Sequence, residues 1–116
     1  MQIDQMEGEI TRVRLSGRMD YAGATGIDAK FMEVAAGAKA VLVDMSKVEF
    51  LASMGIRTLI MAAKLVKARG DRLVMFNPEM MVAKVLQTSG TDILIPVYYD
   101  LALAGRALQA ARAAKS

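Results

Sequence analysis

Short apolar runs alternate with amphipathic stretches along the whole sequence. Near its start, Ile3 and Gln5 look like one strand and Ile10–Leu15 like a second. In the second, Thr11, Val13 and Leu15 alternate with Arg12 and Arg14, the period of two expected of a strand with one wet face. Glu7–Gly8–Glu9 supplies a turn, so the two predict an antiparallel hairpin. Ser16–Asp20 reads as a loop. Ile27, Phe31 and Val34, spaced four and three apart, then predict a helix from about Gly23 or Ala24 to Ala36, with Gly37 placed for a left-handed cap.

Ala40–Val41–Leu42–Val43–Asp44 is a nearly continuous apolar run ending in a carboxylate, the pattern of a strand buried on both faces. A loop anchored by Val48 and Phe50 is expected next, and a helix from Ser53 to before Gly70. Ile56, Leu59, Ala63 and Val66 give that helix its inner face, with Arg57, Lys64 and Lys67 mainly outside. Arg72–Phe76 predicts another strand. Asn77–Pro78–Glu79 has the chemistry of a helix start: a capping Asn, a Pro in the first position and a Glu at the positive end. That helix carries Met81, Val82, Val85 and Leu86 and stops near Gly90. A short strand lies within Ile93–Tyr98, and Asp100 caps a last helix with Leu101, Ala104, Leu108 and Ala111 inward. The order predicts one α/β domain over residues 1–116, with its core at about 3–110. Its sheet is mixed and mostly parallel, of four to five strands with about four helices. Right-handed crossovers would put successive helices on a common face if the strands lie in sequence order.

Composition narrows the chemistry. A chain of 116 residues, 54% of them hydrophobic, holds one core and leaves no room for a second domain. The absence of cysteine excludes disulfides and thiolate chemistry, and the absence of histidine excludes His-dependent triads and argues against a zinc enzyme. No cofactor or metal is implied. The net charge of +3 is local: residues 1–100 hold twelve Lys/Arg and twelve Asp/Glu, so the excess is Arg106, Arg112 and Lys115. These suit the polar side and C-terminus of a helix. They do not describe a nucleic-acid surface, because the six Phe and Tyr residues do not interleave with basic ones. No apolar run approaches eighteen residues and no leader is visible, so a cytoplasmic protein without membrane insertion is expected. Neither phosphate-binding glycine motif is present, which disfavours nucleotide binding.

The stretch Val43–Leu59 is the most informative. Ser53 would sit at a helix N-terminus beyond the carboxyl end of a parallel strand, where ligands and partners tend to meet such sheets. Its hydroxyl has two readings. One is an N-cap worth about 1 kcal/mol. The other is a phosphoacceptor, whose phosphate the helix start would tolerate and a docked partner would feel. Asp44, if close, would turn such a phosphate outward. Asp20 reads as the end of a loop or a cap. An acid–base pair of Asp20 and Asp44 is disfavoured for want of a third group. Arg57, one turn beyond Ser53, is either solvated or available to a partner carboxylate, and Thr58 is expected to bond back to the preceding turn. The ten methionines read mostly as core filler, with an adaptable docking patch as the alternative.

Three segments carry a resemblance to a known family. Arg14–Asp20 resembles a strand followed by Gly, any residue, a hydrophobic residue and Asp before a helix. Val41–Phe50 resembles a central strand with the pattern D-x-S-x-V-x-F, and Phe50–Ile56 resembles F-x-D-S-S-G-L. Asn77–Pro78 and Thr88–Ser89–Gly90 also fit. Residues 1–110 thereby resemble a STAS domain, the fold of bacterial anti-sigma factor antagonists. The resemblance implies a non-catalytic binding protein that switches partners, with Ser53 matching the phosphoacceptor. It also implies a serine kinase that is the anti-sigma factor and a phosphatase that resets the switch, and it places Asp20 beside the phosphoacceptor loop. With docking over that loop and the second helix, the expected contact surface is Asp20, Asp44, Ala52, Met54, Gly55 and Arg57. Two positions depart from the pattern. Ala52 replaces the acid before the phosphoacceptor, and Met54 replaces the second serine. They favour an alternative, a constitutive STAS subunit of a larger complex such as a lipid-transport machine, in which Ser53 is only a cap. A small enzyme or nucleotide-binding protein is a third and weaker reading.

Overall fold

Five strands and five helices follow one another along residues 1–115, the part of the chain that the computed structural model describes. Ser116, the end of the expected 1–116 domain, lies outside the described residues, as do the side chains of Ala114 and Lys115. Strands β1 (Gln2–Met6) and β2 (Ile10–Met19) form the expected hairpin. Helix α1 (Tyr21–Gly37), β3 (Ala40–Leu51), α2 (Ser53–Ala68), β4 (Leu73–Phe76) and α3 (Met80–Thr88) follow. A single helical turn, α4 (Thr91–Leu94), then leads into β5 (Val97–Tyr98) and α5 (Leu101–Lys115). The strands lie side by side in chain order, antiparallel between β1 and β2 and parallel thereafter.

The core is two layers of side chains, one on each face of this sheet. Val13, Leu15, Val41, Val43 and Met75 point toward α1, α2 and α3, where they meet Phe31, Leu59, Val66 and Leu86. Ile10, Ala40, Leu42 and Val74 point the other way, onto Ala104 and Leu108 of α5. The continuous apolar run at 40–43 is thus explained, because its alternate residues serve opposite layers. The expectation of helices on one common face holds for α1, α2 and α3, which connect parallel strands. It fails for α5, which follows the last strand and is free of the crossover rule.

Two segments expected to be loops are strand. Residues 16–19 continue β2, and β3 runs past Asp44 to Leu51, pairing Ser16 with Lys47, Gly17 with Val48, Arg18 with Phe50 and Met19 with Leu51. The register shifts twice, between Arg14 and Ser16 and between Gly17 and Arg18, each time adding a residue to β3. The buried positions of that stretch are consequently Met45, Val48 and Leu51, three apart, which hides the period of two. Strand β4 stops at Phe76, opposite Asp44, so beyond Asp44 β3 is paired by β2 alone. The result is a two-stranded arm that carries the starts of α1 and α2 at its tip.

The start of α3 also differs. Its N-cap is Glu79, whose Oε1 accepts from the Val82 N–H at 3.2 Å, and Pro78 lies outside the helix. Asn77 cannot cap, because it adopts a left-handed backbone (φ 55°) and donates from its side chain to Ser46 Oγ. At α5 the expectation matches: Asp100 Oδ1 accepts from the Leu103 N–H at 3.0 Å. Among the described residues, only Met19, Met45 and Met75 of the methionines are fully buried.

Candidate functional site

At the tip of the arm, the Ala52 N–H donates to the Met19 carbonyl at 3.0 Å and ties the entrance of α2 to the end of β2. The two helices therefore begin side by side. Each is anchored by a glycine in its first turn, and both glycines face the same piece of β2. A Cβ on Gly23 would overlap the Arg18 carbonyl oxygen, and one on Gly55 would stand 2.6 Å from the Met19 carbonyl oxygen and 2.7 Å from Leu51 Cδ1. Absence of a side chain at these two positions lets the helix starts lie directly on the strand.

Ser53 is the first residue of α2 and is exposed. It is not the cap. That position is Ala52, which has no side-chain oxygen, so the first turn of α2 has no side-chain cap. Of the two readings of the hydroxyl, the structural one is removed. Met54 is half-buried and packs against the core while keeping part of its surface in solvent. Arg57, one turn further, is exposed, and no hydrogen-bond or ion-pair partner meets it among the described residues. Thr58 is buried, with its hydroxyl 2.9 Å from Asp28 Oδ1 on α1 and 3.1 Å from the Met54 carbonyl oxygen. It bonds back as expected and also bridges the two helices.

Asp20 caps α1, with Oδ1 accepting from the Gly23 N–H at 2.9 Å. Its other oxygen accepts from Arg18 Nε at 3.2 Å. The Gly23 N–H, followed by Arg18, holds this carboxyl below the ordinary Asp value. The Arg18 guanidinium in turn lies 4.3 Å from the centroid of the Phe50 ring, in cation–π geometry. Sequence reasoning assigned neither Arg18 nor Phe50 to the surface. Phe50 was expected to anchor a loop, yet 40% of it is exposed, because the second register shift turns it outward and leaves Val48 and Leu51 to anchor the strand. The signal available was an Arg two residues before the capping Asp, on a strand that pairs with the segment containing an aromatic.

Asp44 does not belong to this surface. It lies seven residues before Leu51, and the paired stretch of β2 from Arg14 to Met19 spans the same distance in five steps, about 17 Å, so Asp44 cannot steer a group on Ser53. It is only 6% exposed. One oxygen accepts from Arg12 Nη2 at 2.6 Å, and the other accepts from the Ser46 hydroxyl at 2.6 Å and the Ser46 N–H at 3.0 Å. Burial pushes its pKa up, but the bonds from Ser46 and Arg12 outweigh it and hold the carboxyl below its ordinary value. Gly55 is also buried and acts through packing. The site therefore unites Asp20, Ala52, Ser53, Met54 and Arg57 at one end of the molecule, adds Arg18 and Phe50, places Gly55 beneath them and excludes Asp44.

Among the described residues no cluster of Asp and Glu could hold a metal ion, and no helix is long and apolar enough to cross a membrane. No curated protein sequence matches this one. Solved structures do. An anti-sigma factor antagonist from Mycobacterium paratuberculosis is 22% identical, with a TM-score of 0.82 over 93% of this chain and 92% of that one. An anti-sigma-factor antagonist (STAS) domain protein from Planctomyces limnophilus is 23% identical, with a TM-score of 0.80 over 92% and 96%. The phosphorylated form of the Bacillus cell fate determinant SpoIIAA is 20% identical, with a TM-score of 0.68 over 91% and 97%. These likenesses establish the fold, as the resemblance in sequence implied. The family described as "Mlab, STAS domain" matches residues 4–96, and with that match covering β2, β3 and β4, both helix starts and Ser53, the chain belongs to the STAS-domain family.

Proposed function

We propose that this protein is a non-catalytic, cytoplasmic regulator that switches partners through phosphorylation of Ser53. The observation that carries the reading is the position of that hydroxyl. It is exposed on the first residue of α2, has no capping duty, and is flanked by a half-exposed Met54 and a cation without a partner among the described residues. The partners are a serine kinase that is also an anti-sigma factor, and a phosphatase that resets the switch. In the kinase reaction the γ-phosphoryl group passes from ATP to Ser53 Oγ, ADP leaves, and the hydroxyl proton is taken by the kinase. The tip of the arm and the outer face of α2 form the docking surface, for which an interface of about 1,000–1,600 Å² in total is of ordinary size. A phosphate adds about −1.5 to −2 charges at its centre and opposes docking through charge and desolvation.

SpoIIAA, a structural neighbour, is known in both unphosphorylated and phosphorylated forms, which supports the reading by analogy. The test uses two baits in extract from the native cell: the protein as it is, and the protein with phosphoserine installed at position 53. A kinase-type partner retained by the first and lost from the second, with phosphate mapped to Ser53 on the native protein, is the expected result. Ala52 and Met54 favour a second reading, a permanent STAS subunit of a larger assembly. A stoichiometric partner held equally by both baits, with Ser53 never modified in the cell, would establish that reading and reject the switch.

A further inference from the structure

We infer that Arg57 is the intramolecular receptor for the phosphate on Ser53, so that modification both adds negative charge and withdraws a cation from the docking surface. The inference rests on the reading of Ser53 as the phosphoacceptor. Both residues are exposed on α2 and lie four positions apart, in the first and second turns. On a helix that spacing puts their Cβ atoms about 5–6 Å from each other, and the order with the anion on the N-terminal side is the more favourable one. Arg57 has five N–H donors and no partner for them among the described residues. A guanidinium receives a phosphate through two parallel hydrogen bonds, a geometry a lysine does not reproduce.

The other basic group at the tip is committed. Arg18 is spent on Asp20 and on the face of Phe50. Of the acidic groups near the tip, Asp20 is likewise occupied as the α1 cap and by Arg18, and Asp28 accepts from Thr58. Arg57, one helical turn from Ser53, is therefore a cation available to a phosphate there without breaking an existing contact. In the unmodified protein the same guanidinium is open to a carboxylate of a docking partner. Once the phosphate occupies it, that attraction is lost together with the repulsion gained, and the switch acts twice through one added group.

The test installs phosphoserine at position 53 of the full chain during synthesis, without any kinase, and follows the phosphate by phosphorus NMR between pH 4 and 8. Arg57→Gln is expected to raise the second phosphate pKa by about half a unit relative to the otherwise unchanged protein, and Arg57→Lys by less. Arg18→Gln leaves the value where it is. In 1 M salt the difference between the parent and the Arg57→Gln variant shrinks, as an exposed pair requires. Equal titration curves with and without Arg57, or a shift produced by Arg18→Gln alone, would overturn the assignment. Because the phosphate is installed chemically, that failure is separate from the failure of the switch, which is read from the cellular state of Ser53 and from partner release. Exposed Arg57 can be replaced without disturbing the core, and the far-ultraviolet spectrum and melting temperature of each variant verify it.

Discussion

Three glycines make a graded experiment on how the tip of the arm is built. In Gly55→Ala the new Cβ would lie 2.6 Å from the Met19 carbonyl oxygen, 2.7 Å from Leu51 Cδ1 and 2.9 Å from Met19 Cβ. Two of these neighbours belong to β2, one of them backbone, so the helix start itself must move. Overpacking of this kind costs about 1–3 kcal/mol. Replacing Gly by Ala in a helix returns at most about 1 kcal/mol. Because the closest contact is backbone, the cost lies in the upper part of the overpacking range, about 2–3 kcal/mol. The net expectation is a loss of about 1–2 kcal/mol, or about 4–8 °C in melting temperature for a domain of this size. Gly23→Ala brings its Cβ onto the Arg18 carbonyl oxygen and should cost more, about 2–4 kcal/mol. Gly26, on the same α1 helix, meets nothing within 4 Å. Gly26→Ala should therefore gain about 0.5–1 kcal/mol and raise the melting temperature by a few degrees. Thermal and urea unfolding by circular dichroism read the series, with amide shifts of Met19 and Ala52 reporting the displaced helix start. A Gly55→Ala protein as stable as the parent, or a Gly26→Ala protein less stable, would refute the claim that close approach to β2 is what these positions require.

Further outcomes are expected. Ala52→Asp supplies the missing cap of α2 and should stabilise by about 1 kcal/mol in urea unfolding, whereas Ser53→Ala, which removes no cap, should stay within about 0.5 kcal/mol. Asp44→Ala strands Arg12, whose Nε already has no hydrogen-bond partner among the described residues, and should cost about 2–4 kcal/mol by the same assay. The folded-state pKa of Asp44 is depressed, so its contribution is complete above the ordinary value of 3.8 and is lost as the pH falls below it, through the folded pKa. Glu9, held low by Lys39 and Arg112, and Asp20 act in the same direction. Stability measured from pH 6 to 2 should therefore fall on the acid side, and Asp44→Asn should flatten that fall.

Most of the fold was legible because apolar spacing reports burial directly. The run Ala40–Val43 matches its expected burial. On α2, Leu59 and Val66 are buried as expected but Ile56 and Ala63 are half-buried, because the innermost line of the helix runs through Gly55, Thr58 and Ala62, small or polar positions that apolar spacing passes over. The arm was not legible, because two extra residues in β3 break its alternation and make a paired strand look like a loop. Asn77 has the composition of a cap, but its left-handed backbone is set by contacts with Ser46 and Tyr98 that lie far away in the chain. At the site, the pattern around Ser53 located the right end of the molecule. It did not reveal whether the hydroxyl capped the helix, since that depends on which residue takes the extended conformation just before it. Asp44 was misplaced for a related reason: a strand assumed to end there continues for seven residues more.

Strands that lie side by side in the order in which they are joined have a consequence for synthesis. Each new β–α unit leaving the ribosome finds its neighbour already made, so the sheet can grow by addition at one edge. The layer beneath α5 has no such early cover. Ile10, Leu42 and Val74 stay open to solvent until residues 101–108 emerge and fold back across strands made long before. During that interval the nascent protein is a half-closed book, greasy on one page, and a chaperone that holds it would bind there.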